Sequence, residues 1–250
     1  MKSKNDKNLI YPHLNFNKLL KAEMLQLYNG RCKTHGIRYT EHPSCIYKDD
    51  FDLHVGIREK VGFLDIETSN FQPPFGFIIC WAIKEYGDGG RLASAKISTE
   101  DIEREAKSSI KAPVKIDKRV LSEFVKEVRK YDRIVVYWGR NRRFDIPYLR
   151  HRCLKLGLNF PTYSEIICVD AYDWVRNFLR LTSNRLGIVC KEFGFPAKIH
   201  DMFPAHWVKA SAGNQKAIDY IDIHCKEDVL ALEPVYNLLL PFARNTKTSV

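Results

Sequence analysis

Three acidic clusters in this chain have the residue types and spacing to handle a divalent cation. The first lies in Val61-Gly62-Phe63-Leu64-Asp65-Ile66-Glu67-Thr68, an apolar run interrupted twice. Side chains alternate along a strand, so Asp65 and Glu67 share a face. Two acids on one face of an apolar strand repel each other and are costly to bury, and a bound cation would remove that cost. The plainer alternative is a strand end with two solvated acids. The second cluster is Asp145, where Gly139–Leu149 opens a helix. The third is in Ile223–Val229, where His224 and Asp228 are four apart and so fall on one helical face. Singly, each has an ordinary explanation: a first-turn Asp complements the helix dipole, and a His–Asp pair at this spacing is often a surface pair.

The elements between them read as an α/β domain with a five-stranded sheet. After Val61–Thr68 come strands over Gly76–Lys84 and Leu92–Ile97, joined by the turn Gly87–Gly90. Residues 100–116 read as a charged, irregular excursion. Asp117 then caps a helix whose apolar face is Val120, Leu121, Phe124, Val125 and Val128. Ile134–Trp138 is a short apolar strand, expected to lie parallel to the first. The next helix carries Pro147 in its first turn and stops near Gly157. Ile166–Asp170 is a fifth strand, followed by helices over Ala171–Leu181 and Asn184–Phe193, the second capped by Ser183. A loop with Pro196, His200, Pro204 and His206 precedes a long helix from Asn214 to Glu233, which Pro234 kinks or replaces by a final helix through Leu240.

The formal net charge is +10 on 250 residues, which favours a polyanionic partner, most simply nucleic acid. The excess is local: Lys111–Lys155 holds 14 Lys or Arg against five acids. No apolar run is long enough to span a membrane, and the charged N-terminus does not read as a secretory signal. Seven scattered cysteines fit a reducing compartment, so the expected location is cytoplasmic.

Residues 1–58 read as a small N-terminal appendage, with residues 59–250 forming the main domain. In the appendage, Phe16–Tyr28 is amphipathic. Cys32, His35, His42 and Cys45 then follow as Cys-x-x-His and His-x-x-Cys. Four such ligands could surround one structural Zn²⁺. The alternative is a hairpin with two buried cysteines and two surface histidines.

The three clusters, in order, carry a resemblance. Phe63–Thr68 is similar to the first motif, Asp-x-Glu, of the DEDD superfamily of 3′–5′ exonucleases. Asn141-Arg142-Arg143-Phe144-Asp145, followed by Ile146-Pro147, resembles the second, Asn-x-x-(Phe/Tyr)-Asp. The third motif of that superfamily is Tyr-x-x-x-Asp or His-x-x-x-x-Asp. His224-Cys225-Lys226-Glu227-Asp228 has the residue type of one and the spacing of the other. The wider stretch from Tyr220 to Leu232 resembles exonucleases related to the proofreading domain of family B DNA polymerases. The resemblance covers roughly residues 60–240 and leaves out the first 55.

It implies a ribonuclease H-like fold, with a central mixed sheet flanked by helices, and a metal-dependent 3′–5′ exonuclease acting on single-stranded ends. DNA is favoured and RNA possible; replication or repair proteins are candidate partners. It also implies a two-metal mechanism with Mg²⁺ or Mn²⁺, which suit hard oxygen ligands. Asp65 would bridge both ions, Glu67 and Asp228 would bind the one that activates water, and Asp145 would hold the other. His224 would orient or deprotonate the water, as imidazole titrates near neutral pH. Thr68, Arg140, Asn141, Arg142, Arg143 and Phe144 are the candidate substrate contacts. Phe71 and Phe75 could stack on terminal bases or pack in the core. Lys198, His200 and His206 could reach substrate, whereas Asp170 and Asp173 read as structural. Two other readings stay open: a structure-specific endonuclease on this fold, and a non-catalytic nucleic-acid-binding replication accessory module. All four acids argue against the second.

Overall fold

Val61, Phe63, Leu64 and Ile66 are almost wholly buried, which a strand achieves only with cover on both faces and a neighbour on each side. Strand β1 (Val61–Thr68) accordingly sits at the centre of the sheet. A computed structural model describes residues 30–31, 35–38, 41, 60–110, 114–140, 143–162, 165–196 and 200–243. The chain divides into two compact units, Met1–Lys60 and Val61–Val250.

Within the second unit β1 pairs antiparallel with β2 (Ile78–Glu85), which pairs antiparallel with β3 (Leu92–Lys96). On its other side β1 pairs parallel with β4 (Arg133–Val136), and β4 parallel with β5 (Ile167–Asp170). The five-stranded sheet has the order β3-β2-β1-β4-β5. Helices are α1 (Thr99–Ala106), α2 (Lys118–Val128), α3 (Asp145–Lys155), α4 (Ala171–Phe178), α5 (Leu186–Glu192), α6 (Pro204–Ser211) and α7 (Gln215–Leu239). The mixed sheet with flanking helices is the architecture expected from the sequence.

Several local expectations need correction. Residues 99–106 are helical rather than irregular, because Ser98 and Asp101 form a reciprocal capping box. Asp117 stands at the N-cap of α2 but makes no cap hydrogen bond; its carboxylate turns inward instead. The strand expected over Ile134–Trp138 ends at Val136, and Trp138 adopts φ +60. Helix α5 begins at Leu186, and Ser183 only accepts from the Arg185 N–H ahead of it. The Pro- and His-containing loop holds helix α6, opened by Pro204 at its N1 position. Pro234 neither ends nor restarts the last helix, which runs unbroken to Leu239. Buried Ile221, Cys225, Val229, Leu232 and Tyr236 fix that helix against the sheet, and their packing outweighs one lost hydrogen bond.

In the first unit, the described residues contain one antiparallel bridge, Arg31 to Arg38, around Gly36. His35 is exposed in that turn. Cys32, His42 and Cys45 lie outside the described residues, as does the amphipathic Phe16–Tyr28 segment.

Helix α3, which begins at Asp145, is anchored by a charge pair two turns further on. Arg152 is fully buried and grips Asp117 through Nε at 2.8 Å and through a second guanidinium nitrogen. The same carboxylate accepts the Ile78 N–H at the start of β2. Removing one partner leaves the other charge buried and unpaired. Asp117→Ala should therefore lower unfolding free energy by about 3–5 kcal/mol, seen as a reduced urea midpoint. A loss under about 1 kcal/mol would show that the pair does not anchor α3.

Candidate active site

Strands β1, β4 and β5 run parallel, so their C-terminal ends share one edge of the sheet. In open α/β sheets that edge is where ligands bind. Asp65 and Glu67 sit near it on β1, both half-buried where their apolar neighbours are fully buried. The β1–β2 register shifts between Glu67 and Thr68, an irregularity of the kind that re-aims a side chain. Helix α7 packs against β1 and β2 and carries His224 and Asp228 to the same place.

His224, Glu67 and Asp228 converge. His224 Nε2 lies 3.9 Å from Glu67 Oε1 and 3.8 Å from Asp228 Oδ2. One donor atom from each of the three falls within 4.8 Å of the others. The opposite ring nitrogen, Nδ1, is 2.7 Å from the carbonyl oxygen of His200. A carbonyl can only accept, so in the neutral ring Nδ1 carries the proton and Nε2 presents its lone pair to the two carboxylates. His200 is itself held by Glu227, which accepts its backbone N–H at 3.1 Å and binds its ring at 2.7 Å. His200 thus orients His224. His206 accepts the Phe203 N–H at the start of α6.

Trp207 on α6 donates its indole N–H to Glu67 Oε2 at 3.1 Å. One oxygen of Glu67 is thereby fixed while the other faces His224. The sequence reading missed Trp207 because it missed α6; Pro204 followed by an apolar residue three positions on was the available signal.

Asp145 opens α3 and is almost entirely buried. Its Oδ2 has no hydrogen-bond partner among the described residues. Burial, and then the charges of Asp170, Glu67 and Asp228, hold its carboxyl well above the ordinary carboxylate range. Asp145 therefore belongs to the same electrostatic cluster as Glu67 and Asp228. Gly139 lets it do so, since a Cβ there would come within 2.2 Å of Asp145 Oδ2.

Asp170 holds the connection from β4 to Asp145. Its carboxylate accepts the N–H groups of Trp138 at 2.8 Å, Arg140 at 3.1 Å and Tyr172 at 3.1 Å, and an Arg143 guanidinium N–H at 2.6 Å. Arg143 also pairs with Asp173 and lies over the Tyr172 ring. Arg140 donates to the Cys168 carbonyl. Both guanidiniums are thus engaged within the fold. Asn141, Arg142 and Lys198 lie outside the described residues. A non-glycine residue held at positive φ costs about 1–3 kcal/mol, and these bonds to Asp170 hold Trp138 there.

Beside Glu67 an open cleft of about 440 Å³ is lined by Thr68, Phe71, Phe144, Pro204 and Trp207 among others. Phe71 is 84% exposed and meets Phe144 edge-on at 5.8 Å, while Phe75 is 79% exposed; neither packs in the core.

The donor set suits a hard divalent cation. Crowded carboxylates and a partnerless buried oxygen on Asp145 are the groups a cation would satisfy. Glu67 and Asp228 would hold it, with Asp65 beside Glu67 on the strand and Asp145 in the same electrostatic cluster. Without a cation Asp145 is a liability. Its folded-state pKa is raised, so the folded chain holds this proton more tightly than the unfolded one. That contribution is present at low pH and is lost as pH rises from the ordinary carboxylate range through the raised value. Asp145→Asn should raise the melting temperature of the metal-free protein at neutral pH and reduce its fall with rising pH. Added Mg²⁺ should then stabilise the wild type more than the variant. A metal-free variant that melts below wild type at neutral pH would contradict this.

The chain matches the family model of the RNase_H superfamily over residues 62–240. Comparison with curated proteins gives no match. Among solved structures, the family B DNA polymerase from the hyperthermophilic archaeon Pyrobaculum calidifontis is similar, with a TM-score of 0.50 at 22% identity. The match covers 74% of this chain and 25% of the polymerase, so the chain spans about a quarter of that protein's length. The likeness is one of fold. Sheet, acidic edge and family match agree, and the chain belongs to the RNase_H superfamily.

Proposed function

We propose that this chain is a metal-dependent 3′–5′ exonuclease that hydrolyses phosphodiester bonds at single-stranded nucleic-acid ends, with DNA the favoured substrate. The observation that carries the reading is the meeting of Glu67, His224 and Asp228, with the buried Asp145 in the same electrostatic cluster. A nuclease or other hydrolase is what the superfamily and its acidic edge support. The order of the three motifs and the likeness to a DNA polymerase favour an exonuclease acting on DNA.

Two divalent cations, Mg²⁺ or Mn²⁺, would supply charge neutralisation at the scissile phosphate and acidify the attacking water. The chain's own residues do the rest. Asp65, Glu67, Asp145 and Asp228 provide the negative charge that draws the cations in against a backbone that is itself anionic. Trp207 holds Glu67 in one orientation. His224, with its Nδ1 proton committed to the His200 carbonyl, takes a proton from water at Nε2. Its Nε2 lies 3.9 Å from Glu67 Oε1 and 3.8 Å from Asp228 Oδ2, beyond a direct hydrogen bond to either oxygen. The net charge of +10 steers the substrate.

The test uses 5′-labelled single- and double-stranded DNA and RNA with Mg²⁺, Mn²⁺ or EDTA. A metal-dependent ladder shortening from the 3′ end, absent in Asp65→Ala, supports the proposal. A single internal cut would replace it with an endonuclease, and binding without cleavage under every metal with a non-catalytic module. His224→Ala should retain DNA binding while turnover falls by about 10²-fold or more, the usual share of a general base. Unchanged turnover would remove His224 from the mechanism.

A further inference from the structure

Apart from the Glu67 cleft, with which it shares no lining residue, lies an open hollow of about 770 Å³. Its lining includes Tyr137, Trp138, Tyr172, Asn184, Arg185 and Asp201. Trp138 is the one described non-glycine residue at positive φ, and the residue is half exposed. The bonds to Asp170 fix this backbone conformation, which a glycine at 138 would adopt without strain. A bulky residue held in the left-handed region, with its ring in a cleft, marks a position kept for contact rather than for packing.

The hollow's other walls are already fixed. Tyr137 donates its hydroxyl to the Asn184 carbonyl, and Tyr172 lies edge-on to Tyr137 at 5.8 Å with Arg143 over its face. Trp138 is the exposed aromatic among them. Arg185 is exposed on the rim, and Asp201 stands as the one acid there. The hollow connects to the site at two points. Asp201 follows His200, whose carbonyl orients His224, and Trp138 precedes Gly139, which packs on Asp145.

We infer that this hollow is a stacking subsite for an unpaired nucleobase, with the Trp138 indole as its platform and Arg185 meeting the adjoining phosphate. Indole stacks on any base, so the subsite adds affinity without sequence preference. The inference rests on the proposed nucleic-acid substrate and adds where a nucleotide away from the reacting phosphate is gripped. The left-handed strain at Trp138 is supported by Asp170, so the platform is set before substrate arrives.

The full chain is titrated with a single-stranded oligothymidylate of about twelve nucleotides in EDTA, which removes hydrolysis from the readout. Intrinsic tryptophan emission and the anisotropy of a labelled strand are followed for wild type, Trp138→Phe, Trp138→Ala and Trp138→Gly. The strand should quench wild-type emission, and the quench should largely vanish in Trp138→Phe, which keeps most of the affinity. Ala and Gly should weaken binding roughly ten-fold, within the worth of one base–aromatic stack. Trp138→Gly should melt no lower than wild type, which separates lost contact from lost fold. Wild-type affinity in both Ala and Gly, or a full quench persisting in Trp138→Phe, overturns the inference. If the wild type cuts strands from the 3′ end while these variants bind unchanged, the subsite fails alone. If no strand is bound or cut, the proposed function fails with it.

Discussion

The constraint on which the structure depends is electrostatic: several carboxylates gathered at one end of one buried strand. In water their mutual repulsion is weak; at a half-buried sheet edge it is not. Asp145 shows the consequence, since burial and its acidic neighbours push its proton affinity up. A sequence that keeps such a cluster must hold each carboxylate by covalent and hydrogen-bonded restraint, because the acids would otherwise separate. Much of the second unit supplies that restraint. Trp207 holds Glu67, the Asp117–Arg152 pair holds the helix that begins at Asp145, and the sheet fixes β1 on both sides. Stability is spent on geometry that only a counter-charge repays.

A division of labour among the acids follows from burial and partners. Asp170 looks in sequence like one more member of the cluster, at the end of a strand beside the others. In the fold it is saturated by backbone N–H groups and Arg143, and it acts as the hub of the β4–α3 connection. Asp145 is its counterpart: equally buried, but with an oxygen left without a hydrogen bond. A carboxylate already satisfied by donors has little left to offer a cation, whereas one buried without donors has everything to gain. Arg143 and Arg140 likewise place guanidinium N–H groups on Asp170, Asp173 and the Cys168 carbonyl.

What the sequence made legible was the part encoded locally. The alternation of acids on an apolar strand, the apolar face of α2 and the four-residue spacing of His224 and Asp228 are each set by one element's own periodicity. The five strands, their antiparallel start and the parallel return follow from element order. The misses lie where a distant group overrode the local pattern. Trp138 leaves the strand because Asp170, 32 residues on, captures its N–H. Asp117 leaves its cap because Arg152 needs a buried partner. Pro234 fails to break α7 because the helix face is buried on both sides of it. Helices α1 and α6 are different: Ser98 with Asp101 and Pro204 at a first turn are readable local signals, but eight residues are too few to show a clear apolar period.

The departure in the third motif has a geometric consequence. Four-residue spacing stacks the His224 ring over Asp228 on one helical face, and from there Nε2 faces Glu67 across the sheet edge. A ring on a helix could still rotate away. The His200 carbonyl prevents this, and His200 is in turn tied back to Glu227 on the same helix as His224. The segment before α6 therefore acts as a clamp on the imidazole, anchored one residue from Asp228. An imidazole so held has its tautomer and direction fixed, the arrangement an orienting group gives a histidine that handles protons. The four-residue spacing and the His200 clamp thus form one device.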